Sequence, residues 1–140
     1  MKTTGELEQE IRRGTPAVLA GETFESSTAA SYLQVLLRDR GLGARKAVRR
    51  CNLDRSYGYQ LLNGTRVPSR NLILSIALEL RFTEEETQRV LKLAGRPVLY
   101  ARRRRDAAVL YALNHDLGPE ETNSLLRDLG EAELEMRSKG

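Results

Sequence analysis

A chain of 140 residues with 40% hydrophobic and 30% charged side chains, five Tyr, two Phe and no Trp has room for one core and leans toward helix, which excludes a fibrous or disordered protein. No apolar run approaches the roughly 18 residues of a membrane span, and Met1 to Glu10 carries three Glu and no apolar stretch, so it reads as neither a secretory signal nor a transit peptide and a cytoplasmic protein is expected. A lone cysteine, Cys51, and a lone histidine, His115, exclude an internal disulfide and the usual zinc spacings, and no cofactor is expected.

Residues 1–27 read as an N-terminal extension in which Leu7 and Ile11 suit about a turn and a half of docked helix. Thr28 to Arg40 puts Tyr32, Leu33, Leu36 and Leu37 on one helical stripe, with Ser27 or Thr28 as cap and Gly41 as stop. Ala44 to Cys51 is a short basic helix with Ala47, Val48 and Cys51 inward. Asp54 then caps a helix from Arg55 to about Asn63, which Gly64 ends, and Ser69 caps another containing Leu72, Ile73, Ile76, Ala77 and Leu80. No segment reads convincingly as a strand, so the fold class is all-α.

The second half repeats itself. A shift of 35 residues superposes Ala77-Leu78 on Ala112-Leu113, Glu85-Glu86-Thr87 on Glu120-Glu121-Thr122, Val90-Leu91 on Leu125-Leu126 and Gly95 on Gly130. Two similar helical hairpins are expected, each with a second helix that starts acidic at Thr83 or Gly118-Pro119 and stops at Gly. They are expected to pack on the first three helices or on each other. The division that follows is an extension at 1–27, a first unit at 28–95, a basic linker at 96–105, a second hairpin at 106–130 and a mobile tail at 131–140.

Charge is segregated along the chain. Residues 28–70 hold nine basic groups against only Asp39 and Asp54, for +7, and residues 96–105 add +5 through Arg96 and the run Arg102 to Arg105, whereas residues 106–140 sum to −5. A surface built from the +7 segment attracts a polyanion, because each Lys or Arg that neutralises a phosphate releases condensed counterions. A solvated basic face is the plainer alternative.

Two short helices joined by a tight turn, the second opening with polar residues, give the geometry that sets a helix against base edges. Here, through Gly41-Leu42, the turn Asn52-Leu53-Asp54-Arg55-Ser56 and the string Leu61-Leu62-Asn63-Gly64-Thr65-Arg66-Val67-Pro68-Ser69, the sequence resembles the phage-repressor-like (Cro/CI, XRE) helix-turn-helix family over residues 28 to about 82. The resemblance implies a lambda-repressor-like domain, here extended by the second hairpin. It also implies that Arg55, Ser56, Tyr59 and Gln60 face base edges, Arg55 suiting guanine and Gln60 adenine. Arg45, Lys46, Arg49, Asn63 and Arg66 would then hold the sugar-phosphate backbone and fix register. Five positions depart from the family pattern: Gly43 stands at the usual Ser/Thr cap, Ala44 replaces a phosphate-clamping Gln, Ala47-Val48 reverses the usual size order, and Gly58 lies inside the recognition helix. That glycine costs about 1 kcal/mol against Ala and suits close approach of either DNA or another helix.

The function this implies is sequence-specific transcriptional regulation, by a homodimer on a dyad-related duplex, since one recognition helix covers only a half-site. A second class stays open: a protein-interaction adaptor or antitoxin-like partner on the same scaffold, engaging a protein through residues 84–130. Arg102 to Arg105 fits flanking phosphates, an acidic second subunit or a solvated linker. No enzymatic role is expected, for want of a phosphate-binding glycine loop, a metal cluster, or a Ser or Cys with a base at motif spacing. Cys51 reads as a small buried side chain and His115 as a helix-end group.

Overall fold

The computed structural model describes residues 3–14 and 28–134, and every regular element among them is a helix. In chain order these are α1 (Thr4–Arg13), α2 (Ala29–Asp39), α3 (Ala44–Arg50), α4 (Arg55–Asn63), α5 (Arg70–Glu79), α6 (Glu84–Leu93), α7 (Arg104–Asn114) and α8 (Pro119–Asp128). Ser27, the alternative cap of α2, and residues 135–140 of the expected tail lie outside the described residues. Thr28 caps α2, its hydroxyl accepting from the Ser31 N–H at 3.1 Å. The N-terminal helix is longer than the turn and a half expected. Ten residues form α1 behind the cap Thr3, none of them is buried, and Ile11 is exposed.

Four of the corners share one design. Gly41-Leu42-Gly43, Asn52-Leu53-Asp54, Arg81-Phe82-Thr83 and Asp116-Leu117-Gly118 each place a left-handed residue first, an apolar residue second and the next helix's N-cap third, with φ of 65°, 55°, 59° and 55° at the first position. In each corner the apolar residue's N–H reaches back five residues to a helix carbonyl: Leu42 to Leu37, Leu53 to Val48, Phe82 to Ala77 and Leu117 to Ala112, at 2.9 to 3.1 Å. That bond satisfies a carbonyl the helix end would otherwise leave open, and the apolar side chain closes over the core. Asn and Asp tolerate the left-handed region better than most non-glycine residues, which suits Asn52 and Asp116 to these corners.

One core runs from Leu33 of α2 to Leu134, with α5 at its centre, where every residue from Leu72 to Leu78 is buried. Arg40, just past α2, ties the first helices to the rest. Its guanidinium donates to the Leu36 and Leu80 carbonyls, pairs with Glu86 at 2.6 Å and lies 4.9 Å from the centre of the Phe82 ring.

The 35-residue repeat extends to individual hydrogen bonds. Arg70 donates to the Pro97 and Val98 carbonyls, and Arg105 to the Ala132 and Glu133 carbonyls. Gln88 clasps the backbone of Leu99 through both its amide atoms, as Asn123 does Leu134. The Thr87 hydroxyl donates to the Thr83 carbonyl and the Thr122 hydroxyl to that of Gly118, both at 2.8 Å. The second hairpin packs on α5 and α6 and adds to the same core.

Residues 96–103 are therefore fastened along their length. Arg96 donates to the Pro68 carbonyl, Leu99 is buried, and α7 already starts at Arg104. Residues 131–134, the start of the expected tail, are held the same way, with Leu134 buried. The amide side chains that bind their backbone sit 11 residues earlier and the Arg side chains 27 or 28 residues earlier, out of reach of a local reading.

Candidate nucleic-acid interface

The exposed surface of α4 is decided by what its other side must bury. At about 100° per residue, Tyr57, Gly58, Leu61 and Leu62 share one side, while Arg55, Tyr59, Asn63, Ser56 and Gln60 fan over an arc of about 140° on the other. Gly58 and Leu61 are buried, Arg55, Ser56 and Asn63 are exposed, and Tyr59 and Gln60 are half-exposed. Among the described residues no other helix covers Arg55 and Ser56 at the start of this arc, where Asp54 Oδ2 accepts the Tyr57 N–H at 3.1 Å and fixes the direction in which they leave.

Gly58 serves helix packing. A Cβ built on it would stand 2.6 and 2.7 Å from the two methyl carbons of Val48 and 3.2 Å from the Val48 Cβ. The larger residue in the Ala47-Val48 pair thus sits in α3 because its partner in α4 has no side chain, and the two helices approach closely over this point.

That approach brings basic residues from two helices to one place. Arg45 and Arg49, one turn apart on α3, line a groove of about 280 Å³ together with Arg55 and Tyr59, one turn apart on α4, and Asn52 of the corner. Lys46 is exposed on a different side of α3, away from that groove. At the exit from α4, the Asn63 Oδ1 accepts the Thr65 N–H at 2.9 Å, Gly64 turns the chain at φ 84°, and the Arg66 guanidinium lies 5.4 Å from the Tyr57 ring centre. Asn63 and Arg66 are exposed beside the arc.

On the opposite flank of α4, a second groove of about 500 Å³ runs along α2, bordered by Gln34, Arg38, Ala44, Tyr59 and Asn63. Gln34 also donates to the Leu62 carbonyl and so fastens α2 to α4. Sequence reasoning counted Arg38 only as charge and passed over Gln34 and Asn52. The polar stripe of α2 carried the signal for the first two: Gln34 and Arg38 are one turn apart, opposite the buried Leu33, Leu36 and Leu37.

Cys51 lies behind the interface, with its thiol pushed up to about 12 by burial, to which Glu79 adds and which Arg50 opposes. A thiol held that far above neutral pH carries almost no thiolate. His115 caps α7 by donating its N–H to the Ala112 carbonyl, and its ring stacks on Tyr111 at 4.0 Å between centroids. No group of three or more metal-ligating side chains occurs among the described residues, and no described helix is long and apolar enough to cross a membrane.

Searches against protein-family models, curated proteins and solved structures found no match to this chain.

Proposed function

We propose that this protein is a sequence-specific DNA-binding transcriptional regulator of the phage-repressor-like helix-turn-helix type, in which α3 and α4 form the motif and α4 enters the major groove. The observation that carries the reading is the arc of exposed Arg55 and Ser56 and half-exposed Tyr59 and Gln60, flanked by Arg45 and Arg49 on one side and Arg38 on the other. A major groove about 12 Å wide accepts one helix, and polar side chains at that helix's start reach base edges. The guanidinium groups beside it then meet the phosphates along the groove's walls. A homodimer in the cytoplasm, bound to dyad-related half-sites, completes the proposal, since a nine-residue helix touches only a few base pairs.

In this reading Arg55 has two neighbours to choose between, a guanine edge ahead and the phosphate groove beside it. Its place at the first turn of α4 favours the base edge, and Arg45 and Arg49 are sufficient for the phosphate. Arg55→Ala is therefore expected to relax preference at one base pair by about 1–3 kcal/mol. Arg45→Ala and Arg49→Ala are expected to weaken all duplexes alike and to reduce the slope of log affinity against log salt by about 1 each. Fluorescence anisotropy on matched and single-mismatch duplexes over a salt series measures both quantities. Identical behaviour of the two kinds of variant would remove the assigned roles.

A further inference from the structure

The hydrogen-bond repeat says what the outer face of the last hairpin lacks. In α5 the stripe Leu72, Ser75, Ile76 and Glu79 faces the start of α8 and the end of α3, and its first three residues are buried. Thirty-five residues later the same stripe is Ala107, Leu110, Tyr111 and Asn114 of α7, and no third hairpin follows it among the described residues. Tyr111 is 53% exposed where its counterpart Ile76 is 7% exposed. Leu110 and Ala107 beside it are only half-buried.

The ends of α7 are also unbalanced. Arg103 and Arg104 are exposed at its amino end, where the helix dipole is already positive and no side chain caps the first turn. The one acidic group of that turn, Asp106, is engaged by Arg70 and by the Tyr100 N–H. At the carboxyl end stand the exposed Asp116 and, opening α8, Glu120.

From these two features we propose that the α7 stripe is the homodimer surface, occupied by the same stripe of a second copy running antiparallel to it. The pairing is self-complementary, as a twofold axis requires. Tyr111 of each copy lies over Ala107 of the other, large against small, with Leu110 near the axis. The same antiparallel arrangement carries Arg103 and Arg104 of each copy toward Asp116 and Glu120 of the other, where opposite charges offset the unfavourable helix end. The surface rests on the homodimer in the proposed function and is independent of what α4 reads.

Sedimentation equilibrium of the full chain without DNA, over a concentration series, tests it. The parent is expected to be a dimer, and Tyr111→Asp to raise the dissociation constant about tenfold or more with unchanged far-UV circular dichroism. Arg104→Glu is expected to weaken the dimer most at low salt. Val67→Asp, which alters another exposed apolar residue, is expected to leave it intact. A monomeric parent, a Tyr111→Asp protein as dimeric as the parent, or a dimer broken by Val67→Asp instead would each overturn the surface. Duplex binding is read separately: a monomer that still binds DNA contradicts this surface and the homodimer but not the entry of α4 into the major groove, and a Tyr111-dependent dimer that binds none contradicts only the DNA reading.

Discussion

Asp106→Ala is expected to cost about 3 kcal/mol of folding free energy, because it strands a guanidinium within a largely buried network. The Asp106 side chain is 5% exposed and meets Arg70 through both oxygens, at 3.1 and 2.9 Å, while one of those oxygens also accepts the Tyr100 N–H at 2.9 Å. Arg70 in turn binds two carbonyls of the connector, so one carboxylate orients the residue that pins the second hairpin to the first. Burial works to raise the Asp106 carboxyl, but the Arg70 fork and the Tyr100 N–H outweigh it and hold it below its ordinary 3.8. A carboxyl depressed by folding contributes stability above its unfolded value and loses that contribution as pH falls through the lower folded value. Urea unfolding of parent and variant should therefore differ by a constant amount near neutral pH, and the gap should close in acid. A gap unchanged below pH 3.8 would mean that the ion pair is not its source.

Gly58→Ala is expected to destabilise the protein despite replacing a mid-helix glycine with the best helix former. Propensity alone favours the change by about 1 kcal/mol. Against it stands overpacking, typically about 1–3 kcal/mol. Val48 has no escape by rotation, since its Cβ, which no rotamer moves, already lies 3.2 Å from the new atom. The helices must separate, and overpacking wins. Val48→Ala alone leaves a void, whereas Val48→Ala with Gly58→Ala restores a contact of small residues. A double-mutant cycle is expected to return a coupling of at least about 1 kcal/mol in urea unfolding. A Gly58→Ala protein at least as stable as the parent would show that α3 and α4 are not locked at this point. Separation of these helices would also widen the groove between Arg45, Arg49 and Arg55, so phosphate binding should fall with stability.

The helices were legible because their signals are local: apolar stripes at helical spacing and caps at Thr28, Asp54, Ser69 and Thr83. The outward position of Arg55 and Ser56 was legible for the same reason, since burying Leu61 turns the other side of α4 outward. The reason for Gly58 was open between DNA and a neighbouring helix, because its partner Val48 belongs to another element and only their packing decides. Composition made residues 96–105 look like a linker, while the groups that dock them, Arg70 and Gln88, gain meaning only once the hairpins fold. The repeat was visible as letters, but its equivalence at Arg70 and Arg105, or Gln88 and Asn123, needed hydrogen bonds to expose it.

Selection of duplexes from a random pool by the purified chain, at a salt concentration that suppresses nonspecific retention, tests the DNA reading most directly. Sequencing should recover two short half-sites in inverted order for the parent, and a motif degenerate at one position of each half-site for Arg55→Ala. Recovery of no motif by the parent, or of the same motif with Arg55 replaced, would contradict entry of the α4 arc into the major groove.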